Sequence, residues 1–266
     1  MSIFEAIILG AVQGITEFLP VSSSGHLVLL QNIFRISEPA LLFDTMVHVG
    51  TLGAVFIVLW PDIWNILRRP IQRFTGLLIV ATLPTVLMAL LFKDLIEEAF
   101  TSAAFLGFAF VGTALLLIIA EKLSRRPSIS KTERTMQWKD AIIIGLLQGV
   151  AIIPGVSRSG ATISAALFRK VDRTLAARFS FLLSIPTILG ALVLQVPEVL
   201  GYTSGDIGVG SAPIIAGMVT AGVVGFFSIQ GMLKLVRKGS LWGFALYVAV
   251  LGVLIFVDQQ GTHFFF

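Results

Sequence analysis

"PVSSSGHLVLL", residues 20–30, and "PGVSRSGATI", residues 154–163, each interrupt an apolar stretch with proline, glycine and hydroxyl residues. An acid, Glu17, stands just before the first break, and a base, Arg158, lies inside the second. Beyond each break the apolar arm runs for only about ten or eleven residues, which at 1.5 Å per residue covers roughly half a bilayer. Stretches 3–34 and 138–169 are therefore expected to form re-entrant helical hairpins that dip to mid-membrane and return.

The rest of the chain sets the medium. Hydrophobic residues make up 56% of it and charged residues only 13%, too little polar surface for a water-soluble domain. Mean hydropathy is +0.94. The short alternating segments of a membrane barrel are absent, so the helical class is expected. With no cysteine, disulfides and thiolate metal sites are excluded. The first apolar stretch lacks a basic leader and runs straight into its motif, so it reads as mature structure rather than a signal peptide. Basic residues cluster between apolar runs, as cytoplasmic loops do, and no nucleic acid partner is expected.

Six stretches read as full spans: about 41–60, 74–92, 101–121, 174–195, 212–234 and 240–258. Alternating them puts four basic loops on one side: Arg68 to Arg73, Lys122 to Lys139, Arg169 to Arg178, and Lys234 to Lys238. Arg126 belongs to the second of these. Only Arg35 and Lys93 fall opposite, Lys93 beside Asp94, Glu97 and Glu98. The basic side is read as cytoplasmic, with both termini outward. This sidedness holds even if a hairpin crosses twice.

The two halves resemble each other. At one fixed offset Gly10, Gln13, Gly14, Ser22, Ser24 and Gly25 fall on Gly145, Gln148, Gly149, Ser157, Ser159 and Gly160. Each half is a hairpin plus three spans, an odd number of crossings, so the second half is inverted. The expected fold is an all-α polytopic membrane protein with an inverted-topology repeat. It forms one membrane domain, residues 1–266: repeat one about 1–125, a basic loop about 122–138 and repeat two about 138–266. Broken helices in such repeats place a binding site near the midplane.

Each break puts a helix N-terminus at mid-membrane, where unpaired N–H groups and the dipole favour an anion. Arg158 adds a planar guanidinium fork suited to phosphate or carboxylate. Ser22, Ser23, Ser157, Ser159 and Thr162 supply hydroxyls, and Gly160 belongs to the same phosphate-binding set. Glu17 lies one turn after Gln13, with Gln148 as the repeat counterpart of Gln13. A carboxylate at this depth costs a few kcal/mol unless paired, hydrated or metal-bound, so Glu17 reads as a proton acceptor or a ligand for Mg2+ or Ca2+. His26 can share the Ser23 face. A hydroxyl, an imidazole, a carboxylate and an arginine together fit phosphoryl transfer.

Plainer readings stand beside these. Ser22 and Ser24 equally suit structural bonds to backbone, and Glu17 with Arg158 suits a bare ion pair. His48, with Asp44 one turn earlier, reads as structural or as support behind the site. Thr16 and Thr51 read as packing, and His263 as a tail residue without a specific task.

Gln13 to Glu17, "PVSSSGH" and "PGVSRSGAT" resemble the three signatures of the bacterial undecaprenyl-diphosphatase family, the bacitracin-resistance phosphatases. "FDTMVHVGT" at 43–51 and "LLSIP" at 182–186 are similar to it as well. Two departures are Gln13, where many relatives have glutamate, and Ser24, where threonine is common. The resemblance implies hydrolysis of undecaprenyl pyrophosphate to undecaprenyl phosphate and inorganic phosphate. It also implies a divalent cation, Mg2+ or Ca2+, and an active site opening outward from the bacterial inner membrane. Glu17, Ser23, His26 and Arg158 are the expected catalytic residues. Ser23 is the preferred nucleophile with His26 or Glu17 as base, and His26 or an activated water are the alternatives. Bilayer lipid and the polyprenyl pyrophosphate are the expected partners, with a homodimer one option. A transporter or flippase using the same midplane site is the second reading, and a structural scaffold the third.

Overall fold

The computed structural model describes residues 1–36, 41–102, 105–125, 129–201 and 210–262, so Arg126 and His263 lie outside the described residues. Apart from one isolated β-bridge between Lys131 and Val171, the described residues are helix, turn or loop. In chain order the helices are α1 (Ile3–Thr16), α2 (Ser23–Ile33), α3 (Leu41–Val58), α4 (Trp60–Arg68), α5 (Arg73–Leu91) and α6 (Lys93–Ser102). They continue as α7 (Leu106–Ser124), α8 (Trp138–Val150), α9 (Arg158–Phe168), α10 (Arg173–Gly201), α11 (Ser211–Lys238) and α12 (Trp242–Val257).

Each stretch expected to form a hairpin holds two short helices, α1 and α2 in the first and α8 and α9 in the second. The longest of these four has 14 residues, about 21 Å of rise, short of the roughly 30 Å of a bilayer core. Five other helices are long and apolar enough to cross a membrane: α5, α7, α10, α11 and α12. The sixth expected span, 41–60, is different. Its helix ends at Val58, and the chain turns by 78° into α4. Leu59 leaves the helical region (φ −100°, ψ 19°), and Pro61, which has no amide hydrogen to lose, opens the new helix. The span expected over 101–121 begins instead at Leu106, after the separate charged helix α6.

Close backbone approach holds the hairpins in place, and it does so in the same way twice. The first arm, α1, packs along α11, where Gly10 lies against the Gly217 carbonyl. In the other half α8 packs along α5, where Gly145 lies against the Ala81 carbonyl. Neither glycine has room for a Cβ. In lipid, where burial of apolar area no longer drives helices together, such small-residue contacts supply the dispersion energy of association.

Ion pairs gather the basic loops at one end of the bundle. Buried Glu121 is held by Arg173 and by Arg125 at 2.9 Å, and buried Asp140 by Lys131 at 2.8 Å and Arg169 at 2.7 Å. Asp62 pairs with Arg178. Arg73 donates to the carbonyls of Arg134 and Met136, tying α5 to the loop before α8.

Candidate active site

Where each hairpin turns, a serine caps the returning helix. α1 stops after Thr16 because Pro20 cannot continue it, and Ser22 caps α2, its Oγ accepting from the Gly25 amide at 3.3 Å. Ser157 caps α9 in the same way, accepting from the Gly160 amide at 3.0 Å. Backbone geometry differs between them. Ser157 is extended (φ −73°), whereas Ser22 is left-handed (φ 68°), a conformation that costs a non-glycine residue about 1–3 kcal/mol.

The turns are in contact. Ser159 Oγ donates to the Leu19 carbonyl at 2.8 Å. A Cβ on Gly160 would stand 3.4 Å from Pro20, and one on Gly25 would meet the Phe110 ring at 2.6 Å and the Gly155 Cα at 3.0 Å. Gly155 itself has φ 89°, which only glycine adopts freely. Thr113 of α7 braces this turn, donating to the Gly155 carbonyl and accepting from the Ser157 amide.

Glu17 stands at the junction, 5% exposed. One of its oxygens, Oε1, accepts from Arg158 Nη2. The other, Oε2, accepts from Ser23 Oγ at 2.6 Å and from Gln13 Nε2 at 3.0 Å. His48 Nε2 lies 3.7 Å from the same oxygen. Two buried polar atoms nearby have no hydrogen-bond partner among the described residues: Arg158 Nη1 and Gln13 Oε1. An unsatisfied buried guanidinium N–H costs about 1–3 kcal/mol, which an anion reaching it would recover.

The structure thus brings Gln13, Glu17, Ser23 and Arg158 together and places His48 beside them. Other expected site residues are engaged elsewhere. His26 Nδ1 is 2.6 Å from the Ser22 carbonyl and Nε2 is 2.7 Å from the Tyr247 hydroxyl, so its ring is not directed at Ser23. Thr162 is fully buried, bonded to Ser180 at 2.6 Å and to carbonyls of its own helix. Gln148 donates to Thr85 on α5 at 2.9 Å, away from Glu17. Ser22, Ser157 and Gly160 form the caps described above. Tyr247 and Thr113 were missed by sequence reasoning. A tyrosine inside an otherwise apolar span was the available signal, since Tyr247 is one of only two tyrosines in the chain.

Among the described residues no group of three or more His, Asp or Glu side chains forms a metal cluster. Both Glu17 oxygens are already hydrogen-bonded, so a hard cation there would have to share them with Arg158, Ser23 and Gln13. The unpartnered Gln13 Oε1 is a second oxygen donor beside Glu17, and such ions are commonly held by one carboxylate completed by substrate phosphate and water.

Residues 6–254 match the family model described as bacitracin resistance protein BacA. The chain is 47% identical over 265 residues to an undecaprenyl-diphosphatase of Carboxydothermus hydrogenoformans, covering 99% of this chain and 100% of that one. It is 42% identical to undecaprenyl-diphosphatase 4 of Bacillus thuringiensis, with 100% of both chains covered. Identity to an undecaprenyl-diphosphatase of Methanosphaera stadtmanae is 39%, covering 97% of this chain and 98% of the relative.

Proposed function

Because this chain belongs to the bacitracin resistance protein BacA family, we infer that it is an undecaprenyl-diphosphatase. It hydrolyses undecaprenyl pyrophosphate to undecaprenyl phosphate and inorganic phosphate, returning the lipid carrier to cell-wall synthesis. The observation that carries the chemistry is one buried carboxylate shared by a serine hydroxyl and an arginine that still has an unpartnered nitrogen.

The isoprenoid tail stays in the bilayer between helices while the pyrophosphate enters beside Arg158. The unpartnered Nη1 is directed to the phosphate oxygens, where preorganised positive charge stabilises the transition state. Ser23 Oγ attacks the terminal phosphorus as its proton passes to Glu17 Oε2, and the bridging P–O bond breaks to release undecaprenyl phosphate. Water then attacks the phosphoserine. The Oγ–P bond breaks, Glu17 returns its proton to Oγ, and inorganic phosphate leaves. Glu17 is the base favoured over His26, because the one lone pair of neutral His26 is engaged by Tyr247. Glu17 and Gln13 Oε1 would hold a divalent cation, which supplies charge neutralisation on the pyrophosphate.

The protein is multi-pass, and we place it in the bacterial inner membrane with the basic loops inward and the site opening outward. An inverted repeat is supported by the reciprocal packing of α1 on α11 and α8 on α5.

The test is phosphate release from undecaprenyl pyrophosphate by purified protein in detergent. Release that needs a divalent cation and falls about 10³-fold in Arg158→Ala is expected. No release from folded protein would favour the transporter, which has no compartments to act on in detergent.

A further inference from the structure

We propose that Tyr247, on the opposite half of the chain from the first hairpin, is a positioning residue that holds the nucleophilic serine in place through His26 and the Ser22 carbonyl. This rests on the reading of Ser23 as nucleophile.

The chain of contacts is continuous. A carbonyl oxygen only accepts, so His26 Nδ1, 2.6 Å from the Ser22 carbonyl, carries the ring proton. Nε2 of the neutral ring then holds the lone pair and accepts from the Tyr247 hydroxyl at 2.7 Å. Tyr247 also stacks on the imidazole, with centroids 5.7 Å apart and planes at 14°. On another side of the ring Phe110 of α7 makes an edge contact at 5.4 Å. α7 and α12 are themselves locked where Gly107 and Gly252 meet, since a Cβ on either would stand 2.9 Å from the partner helix. His26 is thus clamped by the α7–α12 pair, which donates nothing to Glu17 directly.

The other half shows what the clamp is for. At the repeat offset Ser22 corresponds to Ser157, and His26 to Ala161. Ser157 sits in relaxed backbone, and its carbonyl accepts an ordinary helical bond from the Ala161 amide at 2.8 Å. Left-handed Ser22 gets only a long bond, 3.3 Å, from the His26 amide. The imidazole supplies the short one. The hairpin with the unfavourable φ carries the imidazole brace, and the hairpin without it carries alanine. Ser23 follows Ser22 directly, so the backbone held by this brace sets the 2.6 Å approach of Ser23 Oγ to Glu17.

Tyr247→Phe removes the hydroxyl and keeps the stacked ring, so the fold is retained, checked by a thermal midpoint close to wild type. In purified full-length protein, kcat for phosphate release from undecaprenyl pyrophosphate should fall about tenfold, with KM changed less than about twofold. The chain has three histidines, so ¹⁵N-histidine labelling with His26→Asn as the assignment control isolates this ring. Its Nε2 resonance should move to that of a lone pair without a donor. Ser22→Gly, at home at positive φ, should uncouple the brace: on that background Tyr247→Phe should cost less than about a further twofold. An unchanged His26 spectrum, an unchanged kcat, or the same tenfold loss with and without Ser22→Gly would overturn the proposal. Ser23→Ala with full turnover would instead remove the serine reading, and the His26 spectrum would still report the Tyr247 bond separately.

Discussion

The two hairpins are built alike and loaded differently. Each has a first arm packed on a span of the other half, a serine cap and an 11-residue returning helix. The residue that opens each returning helix is Ser23 in one and Arg158 in the other, at equivalent positions of the repeat. Between them lies Glu17, whose counterpart at the same offset is Ile152. One hairpin therefore holds the acid and the hydroxyl on either side of a left-handed Ser22, and the other holds the fixed cation next to a relaxed Ser157. Two helix starts related by one sequence offset thus bring a hydroxyl and a guanidinium to the same carboxylate.

The largest effects should come from breaking this division of labour. Glu17→Gln should lower kcat about 10³-fold or more, because it removes the proton acceptor and the anchor of Arg158 together. Gln148→Leu, aimed at the relaxed hairpin, should leave kcat within about threefold, since its amide meets only Thr85. Equal losses in the two variants would contradict the asymmetry. Overpacking at the glycine contacts should be symmetric instead. Gly10→Val and Gly145→Val each force a side chain against a backbone carbonyl, and each should destabilise by about 1–3 kcal/mol in a detergent melt. If only one did, the reciprocal packing would not be the matching pair described here. The smallest effect concerns the caps. Ser157→Ala should cost about 1 kcal/mol of stability, the ordinary loss of an N-cap. Ser22→Ala should cost about as much, since wild type already carries the left-handed backbone, and Ser22→Gly less, because glycine adopts that φ freely, with thermal midpoints giving the order.

Much of this was legible in the sequence. Hydropathy located most of the spans, and the short arms beyond the prolines match the short helices α2 and α9. An acid and an arginine at membrane depth pointed to a common site, and Glu17 does lie against Arg158 and Ser23. What stayed hidden was direction and distance. Hydropathy counts apolar residues without reporting where a helix bends, so the 41–60 span gave no sign that the chain turns sharply at its end into a separate helix. A serine at position 22 gives no sign of its left-handed φ. His26 was paired with Ser23 from helical spacing, but its ring is taken by a tyrosine 221 residues away, a partner no local pattern could indicate. His48, read as support behind the site, stands within ion-pair reach of Glu17 for the same kind of reason, a contact made only by tertiary packing.

The division of chemistry between the hairpins is tested most directly by trapping the intermediate. Protein mixed with undecaprenyl pyrophosphate bearing a radiolabelled terminal phosphate would be acid-quenched within the first turnover and mapped by peptide. The account predicts covalent phosphate on Ser23, absent in Ser23→Ala and reduced to background in Arg158→Ala. Label on His26, or a full burst of free phosphate from Ser23→Ala with no labelled peptide, would contradict it.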